Sequence, residues 1–143
     1  MPSSIFRALV VGIALVARAA HAVTIEGDWL TPNGVARVRI GPCAAGLCGT
    51  IIALKAPSDA AGHLQRDGRN VNPALRLRPI VGLEIVHGFK AAGEGRWNDG
   101  TIYNPDDGKT YTSKITLKPD GGLKVEGCIA FICVAQNWLR ALR

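Results

Sequence analysis

Histidine, methionine and aromatic residues are scarce in this 143-residue chain: three His, one Met and 6 % aromatics. Each shortage excludes something. Only His63 and His87 lie beyond the first 22 residues, too few to converge as a histidine metal centre. No GxSxG elbow surrounds Ser58 or Ser113, so that class of serine hydrolase lacks its nucleophile. The run DGKT at Asp107 to Thr110 matches the tail of a phosphate-binding loop, but Tyr103 stands where that loop needs glycine and a strand pattern follows. Asp106 and Asp107 lack the companion ligands of a calcium loop. Asp59, Asp67 and Asp99 are scattered rather than paired as glycosidase carboxylates would be. An enzyme is therefore not the expected class, and no cofactor or metal is expected.

Long hydrophobic runs are also missing. The apolar segment Ala8 to Ala17 is about half of the roughly 20 residues a bilayer span requires. It follows Arg7 and leads to Ala20-His21-Ala22, a small-x-small cleavage site. Residues 1–22 thus read as a secretory signal peptide, cleaved after Ala22. The expected product is an exported domain, residues 23–143, periplasmic or secreted and with no membrane span. No cysteine follows the cleavage site, so a lipid anchor is not indicated. Without Arg7 and Arg18, 15 basic residues face 11 acidic ones and the formal charge falls from +6 to +4. The densest cations, Arg66, Arg69, Arg76 and Arg78, lack interleaved aromatics, so no nucleic acid is expected as a partner; an anionic partner stays open, as does the oligomeric state.

Four cysteines recur as two CxxxxC units, Cys43 with Cys48 and Cys128 with Cys133. An oxidising compartment favours disulfides over free thiols. Three pairings are open to four cysteines, and the local one is favoured because each unit spans a short hairpin loop that can bring two Cα atoms to about 5.5 Å. A four-cysteine zinc site is the weaker reading, since the pairs lie about 80 residues apart instead of the roughly 15 to 20 of a zinc ribbon. A redox dithiol would carry CxxC at a helix start.

Period-two alternation dominates the rest. Ala36, Val38 and Ile40 share one face; so do Tyr111, Ser113, Ile115 and Leu117, and so do Leu123 and Val125. The turn formers Pro32-Asn33-Gly34, Asn98-Asp99-Gly100, Asp106-Asp107-Gly108 and Pro119-Asp120-Gly121-Gly122 separate the runs. About eight or nine antiparallel strands result, near 25–30, 35–41, 48–54, 81–89, 95–97, 100–104, 109–117, 122–128 and 134–141. Such a meander closes into a barrel or folds into a sandwich to hide its edges. Lys55 to Pro79 breaks the rhythm: a polar segment of about 25 residues, with a helical turn expected from Pro73 to Leu77 capped by Asn72. Trp29 lies on the first strand, and Trp138 shares a face with Arg140 on the last. If those strands pair, Arg140 can lie over Trp29 as a cation–π contact.

The succession "EGDWL", "IGPCAAGLCGTI", "RDGRNVNPALRLRPIVGLEI", "GTIYNPDDGKTYTSKITL", "LKVEGC" and "QNWLR" resembles the bacterial family catalogued as domain of unknown function 2147. "EGDWL" and the final-strand arginine also resemble the lipocalin signature. The resemblance implies small exported proteins with a lipocalin-like fold, an all-β, single antiparallel up-and-down β-barrel, and it brings no reaction. The family pattern falls on Asp67, Asn70, Leu75, Arg78, Pro79 and Gly82, and on Tyr103, Asn104, Pro105, Gly108, Lys109 and Tyr111. Turn geometry accounts for the glycines and prolines. Asp67, Asn70, Arg78, Tyr103 and Tyr111 are left as candidate ligand or lid contacts; an Asp–Arg pair tethering the long loop to the barrel is preferred over a ligand contact, because loop-anchoring networks are common. The expected function is binding of a small apolar or amphipathic molecule in the barrel interior, entered at the end covered by Lys55 to Pro79. A non-binding structural or interaction protein of the envelope is the second reading.

Overall fold

The computed structural model describes residues 12–19 and 22–142. Of the leader read at 1–22, residues 1–11 and 20–21 lie outside the described residues. Eight strands follow in sequence order: β1 (Gly27–Leu30), β2 (Ala36–Cys43), β3 (Gly46–Leu54), β4 (Glu84–Ala91), β5 (Arg96–Asn104), β6 (Lys109–Leu117), β7 (Leu123–Ile129) and β8 (Ile132–Arg140). Each pairs antiparallel with the next, and β8 returns to β1, so the sheet is a closed up-and-down barrel. No helix among the described residues is long and apolar enough to cross a membrane.

The alternating residues face the interior together. Val38 opposes Trp29 and Ile51, Ile115 opposes Trp97 and Val125, and Leu123 opposes Trp138. All of these are buried, and with Phe89 they fill the barrel floor. Gly100 is what admits Phe89: a Cβ at position 100 would stand 2.3 Å from the Phe89 ring.

Asn98-Asp99-Gly100, expected as a hairpin turn between two strands, lies inside β5. Asp99 takes φ 62°, and the register jumps from Trp97↔Ile115 to Gly100↔Ser113. The left-handed residue makes a bulge instead of reversing the chain, and one nine-residue strand replaces the predicted 95–97 and 100–104.

Closure is narrow. β1 meets β8 at Trp29↔Arg140 and Leu30↔Leu139. The Arg140 guanidinium sits 4.1 Å from the centroid of Trp29 and donates to the Glu26 carbonyl at 3.0 Å. Nearby, Ala141 N–H donates to Asp28 O at 2.9 Å and Arg37 to Leu142 O at 2.7 Å. Above this seam β8 runs on past the end of β1. Val134 and Ile132, on the same face as Trp138, are 73 % and 67 % exposed, because β1 stops at Leu30 and leaves that part of the inner wall uncovered.

Both disulfides are local, Cys43–Cys48 and Cys128–Cys133. Cys128 and Cys133 are register partners; Cys43 and Cys48 sit diagonally across a two-residue turn. Each short loop contributes roughly 2 kcal/mol by the chain-entropy model. Disulfides fit an oxidising compartment.

Arg140→Ala is expected to lower unfolding free energy by about 0.5–2 kcal/mol through loss of the cation–π contact alone; Gly100→Ala is expected to cost about 1–3 kcal/mol by overpacking against Phe89. Urea unfolding monitored by tryptophan fluorescence reads both, and an unchanged midpoint for Arg140→Ala would remove the seam argument.

Candidate functional site

The long β3–β4 connection is an ordered strap. Its arms run antiparallel, with Arg66 bridging Pro79, Asp67 N–H donating to Arg78 O at 3.0 Å and Ile80 N–H to Gln65 O at 3.1 Å. The tip is a 3₁₀ turn, Pro73–Leu75, capped by the Asn72 side chain, which accepts from Ala74 N–H. This is the helical turn expected there, shorter by two residues.

Asp67 anchors the strap. It is fully buried, and its carboxylate accepts from the Tyr103 hydroxyl at 2.5 Å, from Asn70 Nδ2 at 2.8 Å and from Arg78 Nε at 2.8 Å. Asn70 Nδ2 also reaches the Tyr103 oxygen at 2.9 Å, and the Arg78 guanidinium lies 5.6 Å from the Tyr103 ring centroid. A buried carboxylate is tolerated only when charge and hydrogen bonds satisfy it, and here three donors do so. Burial pushes the Asp67 carboxyl upward; the donated bonds from Tyr103, Asn70 and Arg78, with the Arg78 charge, outweigh it and leave the group below the ordinary carboxylate range. Burial, then the neighbouring Asp67, pushes the Tyr103 phenol up.

A second contact fixes the strap over the β5–β6 turn. Arg69 donates to Asp106 O at 3.0 Å. Gly108, at φ 72°, lies so close that a Cβ there would stand 1.8 Å from the Arg69 carbonyl oxygen. In the same turn the Tyr111 hydroxyl donates to Asp107, which raises the Tyr111 phenol. Burial acts to raise Asp107, but that bond and the Lys109 N–H outweigh it and hold the carboxyl low.

Between strap and barrel wall is a solvent-open cleft of about 810 Å³, lined among others by Val71, Leu75, Arg78, Tyr103, Lys109 and Tyr111. Its volume falls within the range of small-molecule sites. The strap packs beside Tyr103, whose neighbour Ile102 shares a face with Tyr111 and Gly127. Of the sequence candidates, Asp67, Asn70, Arg78 and Tyr103 meet in one network, and Tyr111 lines the same cleft with its own partner. Trp29, Trp138 and Arg140 belong to floor and seam. Sequence reasoning missed Asp107 as the Tyr111 partner and Arg69 as the clamp on Gly108; the Asp-Asp-Gly turn was the available signal for the first.

The family model described as "Uncharacterized protein conserved in bacteria (DUF2147)" matches residues 27–140. Among solved structures the chain is similar to protein HP1028 from the human pathogen Helicobacter pylori, which belongs to the lipocalin family: 22 % identity, 85 % of each chain covered and a TM-score of 0.72. At that identity the likeness carries the fold. No curated protein matches.

Asp67→Asn places an amide where three donors converge, at an expected cost of about 1–3 kcal/mol. Because the folded carboxyl titrates below its unfolded value of about 3.9, its stabilisation is complete above that pH and lost as pH falls through the folded value. Hydrogen exchange along 66–78 should accelerate in Asp67→Asn at neutral pH and in the wild type only in strong acid. Equal protection in both proteins would refute the anchor.

Proposed function

The chain belongs to the bacterial family DUF2147, and on that premise we propose that it is an exported protein that binds a small amphipathic molecule in the cleft between strap and wall. The carrying observation is the cleft's composition. Val71 and Leu75 offer apolar surface, 72 % and 37 % exposed, beside the cations Arg78 and Lys109 and the phenol of Tyr111. Pockets that bind small molecules pair an apolar lining with a few placed polar groups. The floor supports the same choice: with Trp29, Trp97, Trp138 and Phe89 buried there, side chains occupy the depth that an interior ligand would need. The polar end of the ligand would meet Arg78 and Lys109, its apolar body Val71 and Leu75.

Export rests on the leader at 1–22 and on the two disulfides. The second reading, an envelope interaction protein without a ligand, draws on the exposed β7–β8 hairpin, where Ile129, Phe131 and Ile132 are largely uncovered.

Native mass spectrometry of the protein from the exported fraction is expected to give a chain beginning at Val23, carrying a small molecule released on unfolding. Val71→Asp should strip that molecule while leaving the unfolding midpoint within about 0.5 kcal/mol of wild type, as a surface change does. An empty protein that also fails to saturate with a dansyl-labelled fatty acid would favour the interaction reading.

A further inference from the structure

Away from the cleft, the outer wall of β3 and β4 gathers three metal-ligating side chains, Cys48, Glu84 and His87, and the disulfide joins Cys43 of β2 to the first of them. The register of β4 slips twice, once between Phe89 and Val86 opposite Leu47 and Gly49, and once where Gly49 faces Val86 and Thr50 faces Glu84 with Ile85 inserted between. Such a bulge re-aims side chains, and it brings Glu84 and His87 to one face. His87 Nδ1 lies 2.5 Å from Glu84 Oε1 and 3.6 Å from Cys48 Sγ. Ligand atoms of Cys48, Glu84 and His87 all lie within 4.8 Å of one another. Cys43 is bonded to Cys48. Beside them opens a cleft of about 300 Å³ lined by Arg39, Cys43, Cys48, Thr50 and Glu84 among others.

The thiolate, not the disulfide sulfur, is the strong metal donor. While Cys43 and Cys48 are bonded, only the imidazole and the carboxylate are competent. We infer that reduction of this disulfide unmasks a four-ligand site for a zinc-like divalent cation, made by Cys43, Cys48, His87 and Glu84. Two thiolates, one imidazole and one carboxylate are ordinary zinc donors, and a four-residue spacer lies within the range of zinc-binding cysteine pairs. The other two ligands arrive from the adjacent strand, so all four are held by sheet backbone. The step balances. A dithiol reductant delivers two electrons and two protons to the sulfur–sulfur bond, which breaks to two thiols while the reductant leaves as its own disulfide. The cation then displaces both thiol protons to solvent, and the His87–Glu84 hydrogen bond opens to two metal bonds. Cys128–Cys133 has no such histidine beside it among the described residues and serves as an internal control.

The full chain, reduced with a phosphine and desalted without oxygen, is titrated with Co(II). The expected result is one Co(II) per chain with sulfur-to-cobalt charge-transfer absorption and tetrahedral d–d bands, displaced by Zn(II), and neither signal in the unreduced protein. A Cys128→Ser, Cys133→Ser double variant should keep the signal. His87→Ala and Glu84→Gln should each weaken affinity by about tenfold or more with an unchanged far-ultraviolet circular dichroism spectrum. Reduced wild-type protein that shows no thiolate charge transfer at stoichiometric cobalt would overturn the inference, as would wild-type affinity in both single variants.

Discussion

The barrel stands on its seam. Seven of the eight strand pairings are held by hairpins or by the strap-bearing connection, whereas β1 and β8 are the first and last strands and meet at two register positions. Nothing in local sequence forces them together. Arg140 does it by laying its guanidinium on Trp29 while donating to Glu26 O, so the cation closes the gap from above and ties down the segment preceding β1. The contact itself is worth about 0.5–2 kcal/mol. What it guards is larger: a buried aromatic covers roughly 150–250 Å², which at about 25 cal/mol per Å² is roughly 4–6 kcal/mol each, and both Trp29 and Trp138 flank the seam. A small interaction thus gates the exposure of the floor.

The strap joins this floor only at its C-terminal end, where Gly82 and Leu83 exchange backbone hydrogen bonds with Ile51. Its own apolar contribution is modest, with Ile80 and Leu83 buried but Leu64, Val71 and Leu77 exposed, so a hydrophobic argument does not fix its position. The Asp67 network does. A buried ion pair is weak evidence for stability, since desolvation offsets attraction, but three converging donors admit one arrangement of Tyr103, Asn70 and Arg78. The network therefore decides where the strap lies more than how tightly it is held, and the cleft inherits its shape from that decision.

Much of the fold was legible because period-two alternation is enforced by burial: Ala36, Val38 and Ile40, or Leu123 and Val125, can face a core only as strands. The two cysteine pairs were legible for the same reason, being fixed by hairpins that their turns announce. Asp67, Asn70, Arg78, Tyr103 and Tyr111 were singled out by the family resemblance, the first three because no fold-level duty accounted for them, yet 36 residues separate Asp67 from Tyr103 and no local pattern could say that they touch. A polar loop of the strap's size suggests a lid, and its docking is fixed by the close approach of Arg69 to Gly108 and by the buried Asp67, neither of which loop length reveals.

The remaining misreadings share a cause, which is that a bulge has no periodic signature. Asn98-Asp99-Gly100 has the composition of a hairpin turn, and only the pairing of Trp97 and Gly100 with successive inward residues of β6 turns it into a bulge. In β4 the inserted Ile85 is harder still to see, since both Ile85 and Val86 are buried and the run looks continuous. Strict alternation would send Glu84 and His87, three residues apart, to opposite faces; the insertion brings them together beside Cys48. His87 meets a carboxylate at hydrogen-bond distance because of that insertion, so the irregularity in the sheet is the physical origin of the cluster.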